Sequence, residues 1–190
     1  EIEKDYFAFG SVKALESVYG IDILLNAFSL FKKKFAKEPV RLVLVGGGSQ
    51  EAQLRELTRV LGIADSVDFI GLVPLEEVPY YQNLIDCNLC LSRNESFGVS
   101  ALEASTLCKP VIVSDVGGLP EIILDENTGI VVPTEDATAA SKAMEHIFTD
   151  AKLRKKLGEK GRQRSQEVYS WQENLKSMVQ VYDQVYHDHA

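Results

Sequence analysis

Six short apolar runs, at 6–9, 41–45, 66–70, 84–91, 110–113 and 128–132, recur along the chain, and amphipathic stretches lie between most of them. Strand-length runs rich in Val, Ile and Leu with no polar alternation suit strands buried on both faces. Parallel strands need long crossovers, which helices supply. The intervening stretches at 21–35, 51–61 and 74–81 fit that need; the first carries Ile21, Leu24, Leu25, Phe28 and Phe31 at helical spacing. The alternation predicts an α/β fold: a doubly wound, Rossmann-like parallel sheet of six strands, covered by helices on both faces. Further helical stretches follow at 136–148, 153–169 and 171–186.

In the common strand order 3-2-1-4-5-6, the first and fourth strands are neighbours, and ligands lie outside their carboxyl ends. The loops that meet there are 11–19 and 92–96. The second opens the stretch 92–109, where a short polar loop passes into a helix that is expected to start near Phe97. Glu95 stands in the loop and Glu103 on the helix, with seven residues between them. At ~1.5 Å rise per residue the two carboxylates lie up to ~12 Å apart. That separation is too long for an acid/base pair on one bond, and it suits two grips on the hydroxyls of an elongated ligand. The N–H groups of Phe97, Gly98 and Val99 would face the space between, where a helix amino end favours an anion. Hydroxyls at both ends and phosphate in the middle describe a nucleotide-sugar. A strand, a turn and a solvated amphipathic helix account for the same spacing.

Other features set limits. The net charge of −8 argues against nucleic acid or an anionic membrane as partner, so a phosphate ligand needs local cations. Lys13 is the one basic residue of the 11–19 loop, and Arg93 that of the 92–96 loop. No run of 18 apolar residues is present. Three cysteines make an odd number for a disulfide framework and suggest a reducing compartment. Cys87 and Cys90 have CxxC spacing, but in a strand they point to opposite faces and read as core thiols. His146, His187 and His189 fall late, which disfavours a histidine triad or metal site. Gly46-Gly47-Gly48 lacks the third glycine of a dinucleotide fingerprint, since Glu51 stands there, and reads as a tight turn. Gly117-Gly118 is a second such turn. The first strand is expected to end at Gly10-Ser11. The chain begins Glu1-Ile2-Glu3 and enters an apolar run almost at once, as at a cut between domains.

Several motifs in order resemble the C-terminal, donor-binding domain of GT-B fold retaining glycosyltransferases of glycosyltransferase family 4, the glycosyl transferases group 1. Glu95-Ser96-Phe97-Gly98-Val99 followed by Glu103-Ala104 looks like the E-x7-E motif. Val45-Gly46-Gly47-Gly48, Val67-Asp68-Phe69-Ile70-Gly71, Lys109-Pro110-Val111-Ile112, Gly117-Gly118-Leu119-Pro120-Glu121-Ile122 and Asn127-Thr128-Gly129 have counterparts in the family. The resemblance implies sugar transfer from a nucleotide diphosphate donor to an acceptor such as a growing glycan or lipid-linked saccharide, with retention and without a metal. Glu95 would be the catalytic residue on the donor sugar. Phe97, Gly98 and Val99 would offer N–H groups, Glu103 would hold the ribose, and backbone at Gly71 and Leu72 would lie near the base. The family's Gly-Arg and Lys-Gly, which clamp the diphosphate, are Gly10-Ser11 and Tyr19-Gly20 here, so Lys13 is the substitute cation and is expected to be mobile.

The resemblance divides the chain into a donor-binding domain, 1–170, and a C-terminal helix, 171–190, that would cross back to an N-terminal acceptor domain outside this sequence. A fragment of this kind would be inactive alone. The implied setting is cytoplasmic, compatible with peripheral association at the inner membrane face through the absent domain. A non-catalytic nucleotide-sugar-binding module is the alternative, and a dehydrogenase-like dinucleotide domain fits less well, for lack of the third glycine and of a ribose-binding Asp after strand two.

Overall fold

The computed structural model describes residues 4–188. Glu1, Ile2, Glu3, His189 and Ala190 lie outside them. The strands β1 (Phe7–Val12), β2 (Val40–Val45), β3 (Val67–Gly71), β4 (Cys87–Cys90), β5 (Val111–Ser114) and β6 (Ile130–Val132) form one sheet in the order β3-β2-β1-β4-β5-β6. All the ladders are parallel, so the expected doubly wound order holds.

Side-chain alternation sorts the two faces. Phe9, Leu42, Leu44, Cys87, Leu89 and Ile112 point into the larger core cluster, under α1 (Ile21–Lys34), α2 (Glu51–Val60) and α6 (Ala137–Thr149). Ala8, Val43 and Val45 face the other way, with Ile85 from the end of α3 (Val78–Leu84). Cys90, Val111 and Val113 share that side with α4 (Val99–Thr106) and α5 (Leu119–Ile122). The two buried thiols therefore serve different cores, as strand periodicity requires. α1 follows its sequence stripe: Ile21, Leu24, Leu25, Phe28 and Phe31 are all buried. Phe31 lies edge-on to Phe9 and Phe148, at 5.2 and 5.4 Å between ring centroids.

α7 (Ala151–Val168) begins where the Asp150 carboxylate accepts the Lys152 and Leu153 N–H groups at 2.9 Å, two residues before the start read from periodicity. It packs on α4 through small residues, with Gly158 against the Cys108 carbonyl and Gly161 beside Ser105. α8 (Trp171–Asp188) lies apart, and Trp171, Leu175, Met178, Tyr182 and Val185 form an exposed stripe at heptad spacing.

Two boundaries differ from expectation in ways that bear on function. β1 does not stop at Gly10-Ser11 but continues to Val12, because Gly10 and Ser11 pair with Val43 and Leu44 of β2. Gly10 and Ser11 are thus buried within the sheet, and the loop begins at Lys13. A β-carbon on Gly10 would strike the Ile85 side chain, so its role is to let the end of α3 approach the sheet. β4 is also shorter than the run 84–91, since Leu84 closes α3.

Phe31→Ala, which empties the shared aromatic cluster, is expected to cost about 3–5 kcal/mol. The melting midpoint should fall by roughly 10 °C. A fall of only a degree or two would show that α1 is not anchored by this ring.

Candidate functional site

The site is built where β1 and β4 release their chains on the same end of the sheet. Lys13 is the first residue after β1, and Glu95 follows β4 by five positions. Their side chains form an ion pair that is nearly closed to solvent, with 12% of Lys13 and 10% of Glu95 exposed. The Lys13 ammonium also sits 4.5 Å from the Tyr19 ring centroid, where the π-face attracts a cation. The buried Ser92 hydroxyl approaches the same Glu95 carboxylate at 3.4 Å. Lys13 was expected to be a mobile cation; it is instead held by a carboxylate and an aromatic face.

Both loops rest on glycine turns. The Lys13 N–H donates to the Val45 carbonyl at 3.0 Å, and the Leu15 N–H to Gly47 at 2.9 Å. Gly46, at φ 135°, carries no side chain because a β-carbon would strike the Lys13 carbonyl. Opposite, the Gly118 N–H donates to the Glu95 carbonyl at 3.1 Å. Gly117 at φ 53° lies so close beneath that carbonyl that any side chain would collide with it. Each turn thus supports one partner of the ion pair.

Arg93 fixes the Glu95 loop from its other side. Its backbone N–H donates to the Val18 carbonyl, and its guanidinium to the Ser17 carbonyl, to both Asp22 carboxylate oxygens at 2.9 and 2.7 Å, and to Glu135 at 2.7 Å. These bonds, with Asp22 foremost, push the guanidinium pKa up, and the bonds from Arg93 hold the Asp22 carboxyl below its usual 3.8. Arg93 is therefore spent on structure and is not free for an anionic ligand.

The helix after this loop starts at Val99 rather than Phe97, since Gly98 caps it at φ 105° and its carbonyl takes the Ala101 and Leu102 N–H groups. Among the described residues, the N–H groups of Phe97, Gly98 and Val99 make no backbone hydrogen bond. Phe97 and Val99 are exposed and Gly98 is buried. Glu103 lies one turn beyond Val99, half-buried, about 6 Å further along the axis at ~1.5 Å per residue. It accepts a hydrogen bond from the Gln82 side-chain amide at 3.4 Å. Gln82 and its partner Asn88 escaped the sequence reading, although a lone Asn inside the apolar run 84–91 was a signal. Gly71 ends β3 at φ 86°, its carbonyl accepts the Gly46 N–H at 2.9 Å, and Leu72 beyond it is 84% exposed.

Lys13, Glu95 and the Phe97–Val99 amides thus share one end of the sheet, Gly71 and Leu72 border it, and Glu103 lies one turn down α4 from that end, against Gln82. Gly10 and Ser11 stay inside the sheet. A concavity of about 970 Å³ lies at the opposite end, lined by Phe7, Pro39, Asp86 and Pro110 ahead of or at the start of their strands.

Residues 1–164 match the family described as Glycosyl transferases group 1. A D-inositol 3-phosphate glycosyltransferase from Corynebacterium urealyticum is 30% identical over 178 residues, covering 91% of this chain and 42% of that protein. Sucrose-phosphate synthase from Thermosynechococcus elongatus superposes with a TM-score of 0.86 at 30% identity, over 97% of this chain and 46% of that one. HepE from Anabaena, solved in complex with UDP, gives a TM-score of 0.87 at 18% identity, over 95% of this chain and 49% of its own, a likeness of fold. The chain spans less than half the length of these relatives.

Arg93→Ala is expected to destabilise the fold by about 1 kcal/mol, discounted because a third of the pair is exposed. The melting midpoint should fall by roughly 2–4 °C. Asp22 is lowered in the folded state, so its contribution is present above 3.8 and fades as pH falls through its native value. The gap between wild type and variant should therefore stay constant from neutral pH down to about 5 and close in more acid solution. A gap independent of pH would assign the loss to the carbonyl and Glu135 contacts instead.

Proposed function

The chain belongs to the glycosyl transferases group 1 family, and on that premise we propose that it is the donor-binding domain of a retaining glycosyltransferase that moves a hexose-type sugar from a nucleotide diphosphate to an acceptor. The observation that carries the reading is the Lys13–Glu95 pair at the point where the strand order reverses, with unbonded amides and a second carboxylate following along α4. The HepE structure, of the same fold, holds UDP, which supports a nucleotide in this crevice.

In this reading Lys13 exchanges Glu95 for the diphosphate. The freed Glu95 carboxylate turns to the sugar hydroxyls beside the anomeric carbon, where the bond to phosphate breaks. The amides of Phe97, Gly98 and Val99 add a partial positive charge, on the order of half a unit, towards the departing diphosphate. Glu103 accepts from the ribose hydroxyls, and backbone at Gly71 and Leu72 flanks the base. Gly10 and Ser11, buried in β1, act only by shaping the strand that carries Lys13. Charge is met by these groups without a metal. The acceptor is bound by the remaining part of a longer polypeptide, against which the apolar stripe of α8 packs, and transfer needs both parts. Any membrane contact belongs to that other part, and the setting is cytoplasmic.

One observation favours a second reading, a non-catalytic nucleotide-sugar module. Ser11 and Tyr19 stand where the resembled family has cations, and the one loop cation is already neutralised by Glu95.

Calorimetry with uridine, guanosine and adenosine diphosphates tests the reading. Glu103→Ala should weaken the best binder by ~1.5–3 kcal/mol, the range for a charge-assisted hydrogen bond. Glu95→Gln releases Lys13, so diphosphate affinity should hold or rise while transfer by the longer protein is lost. Lys13→Ala should weaken diphosphate binding at low salt, less so as salt is raised, and leave free nucleoside unaffected. Unaltered diphosphate affinity in Lys13→Ala would remove Lys13 from the mechanism. Full transfer by a longer protein carrying Glu95→Gln would remove Glu95.

A further inference from the structure

α3 has seven residues, and the one it buries is a glutamine, Gln82, 1% exposed. The β4 residue facing it is Asn88, 0% exposed. A hydrogen-bonded line runs through these residues. The Cys90 thiol lies in hydrogen-bond reach of Asn88 Oδ1 at 3.4 Å and of Ser100 Oγ at 3.9 Å, Asn88 Nδ2 donates to Gln82 Oε1 at 3.0 Å, and Gln82 Nε2 to Glu103 Oε2 at 3.4 Å. Burial pushes the Cys90 pKa up to about 11, so the thiol keeps its proton and remains a donor. At the far end an ionised Glu103 can only accept. The two ends therefore fix which way both amides face: nitrogen towards Glu103, oxygen towards the core. A flip of either amide would oppose acceptor to acceptor.

Buried polar groups of this kind add little stability over an apolar pair of the same volume, and they cost free energy when left incomplete. What this line provides is direction. It takes one Glu103 carboxylate oxygen and leaves the other unclaimed. Among the described residues, no other hydrogen bond to the Glu103 carboxylate is present. Gly10 belongs to the same arrangement. It pairs with Asn88, and its missing β-carbon admits Ile85, the residue that follows α3.

We infer that Gln82 is a positioning residue, held by Asn88 and Cys90, that aims the free oxygen of Glu103 at the ribose diol of a nucleoside diphosphate. The inference rests on the ribose role given to Glu103 above. It assigns to the Gln82–Asn88 pair the preference of this site for ribose over a sugar lacking the 2′ and 3′ hydroxyls.

The test compares dissociation constants for uridine diphosphate and its 2′,3′-dideoxy counterpart, or the guanosine or adenosine pair if that base binds tighter. Wild type should favour the ribose form by roughly tenfold or more, as hydrogen bonds to a carboxylate warrant. Gln82→Met keeps the length and loses the amide. It should collapse most of that preference, leave binding of the dideoxy form within about twofold, and add nothing in a Glu103→Ala background. Asn88→Leu leaves Gln82 in place but unoriented. It should erode the preference in the same direction, and it serves if Gln82→Met melts at the assay temperature. Wild type without a ribose preference would defeat the Glu103 assignment itself. A preference lost in Glu103→Ala but intact in both Gln82→Met and Asn88→Leu would overturn the positioning role alone. Equal weakening of both ligands in these two variants would mean that the relay only stabilises the core, and would likewise overturn it.

Discussion

Two residue pairs, Phe9 with Cys87 and Gly10 with Asn88, join β1 to β4, and the site depends on that short seam. To one side the sheet runs out through β2 and β3, to the other through β5 and β6. Successive crossovers diverge from the seam, so the two chain ends above it meet no covering helix. A seam of so few pairs holds its loops weakly by itself. Arg93 reinforces it above the strands, by tying the β4 loop to the start of α1 and to Glu135 beyond β6. Ser114 does so from β5, donating to the Ser92 carbonyl at 2.6 Å. The geometry of Lys13 and Glu95 is thus set by bonds from α1, from β5 and from Glu135 rather than by the loops' own sequences.

The order of strands was legible because each run is short, apolar and followed by a helix, and because right-handed crossovers leave few alternatives. The end of β1 was not. Gly10 and Ser11 look like a turn when read locally, yet the ladder to β2 continues through them, since tertiary pairing overrides the weak strand propensity of Gly. The helix start shifted by two residues for a similar reason, as Gly98 takes a positive φ that sequence alone does not reveal.

Within the site, the residue types were readable and the partnerships were not. Glu95 and Glu103 stood out by spacing. That Lys13 would already be bound to Glu95 could not be read from residues 82 positions apart. Arg93 looked like a second candidate cation until its donors were found to be occupied. Gln82 and Asn88 illustrate the converse: each looks ordinary alone, and only their facing positions make them a relay.

The closed Lys13–Glu95 pair bears on what the site ignores. A bare ammonium at the mouth of a crevice is open to inorganic phosphate, sulfate and every small anion a cell holds at millimolar levels. Here such an anion must displace a carboxylate already seated on the lysine and seconded by Tyr19. A lone phosphate gains one ionic contact and breaks another, so it has little to gain by entering. A larger ligand with further contacts along α4 can make up that loss. If the crevice takes a nucleotide diphosphate as proposed, internal pairing acts as a filter, admitting anions by what else they carry rather than by charge alone.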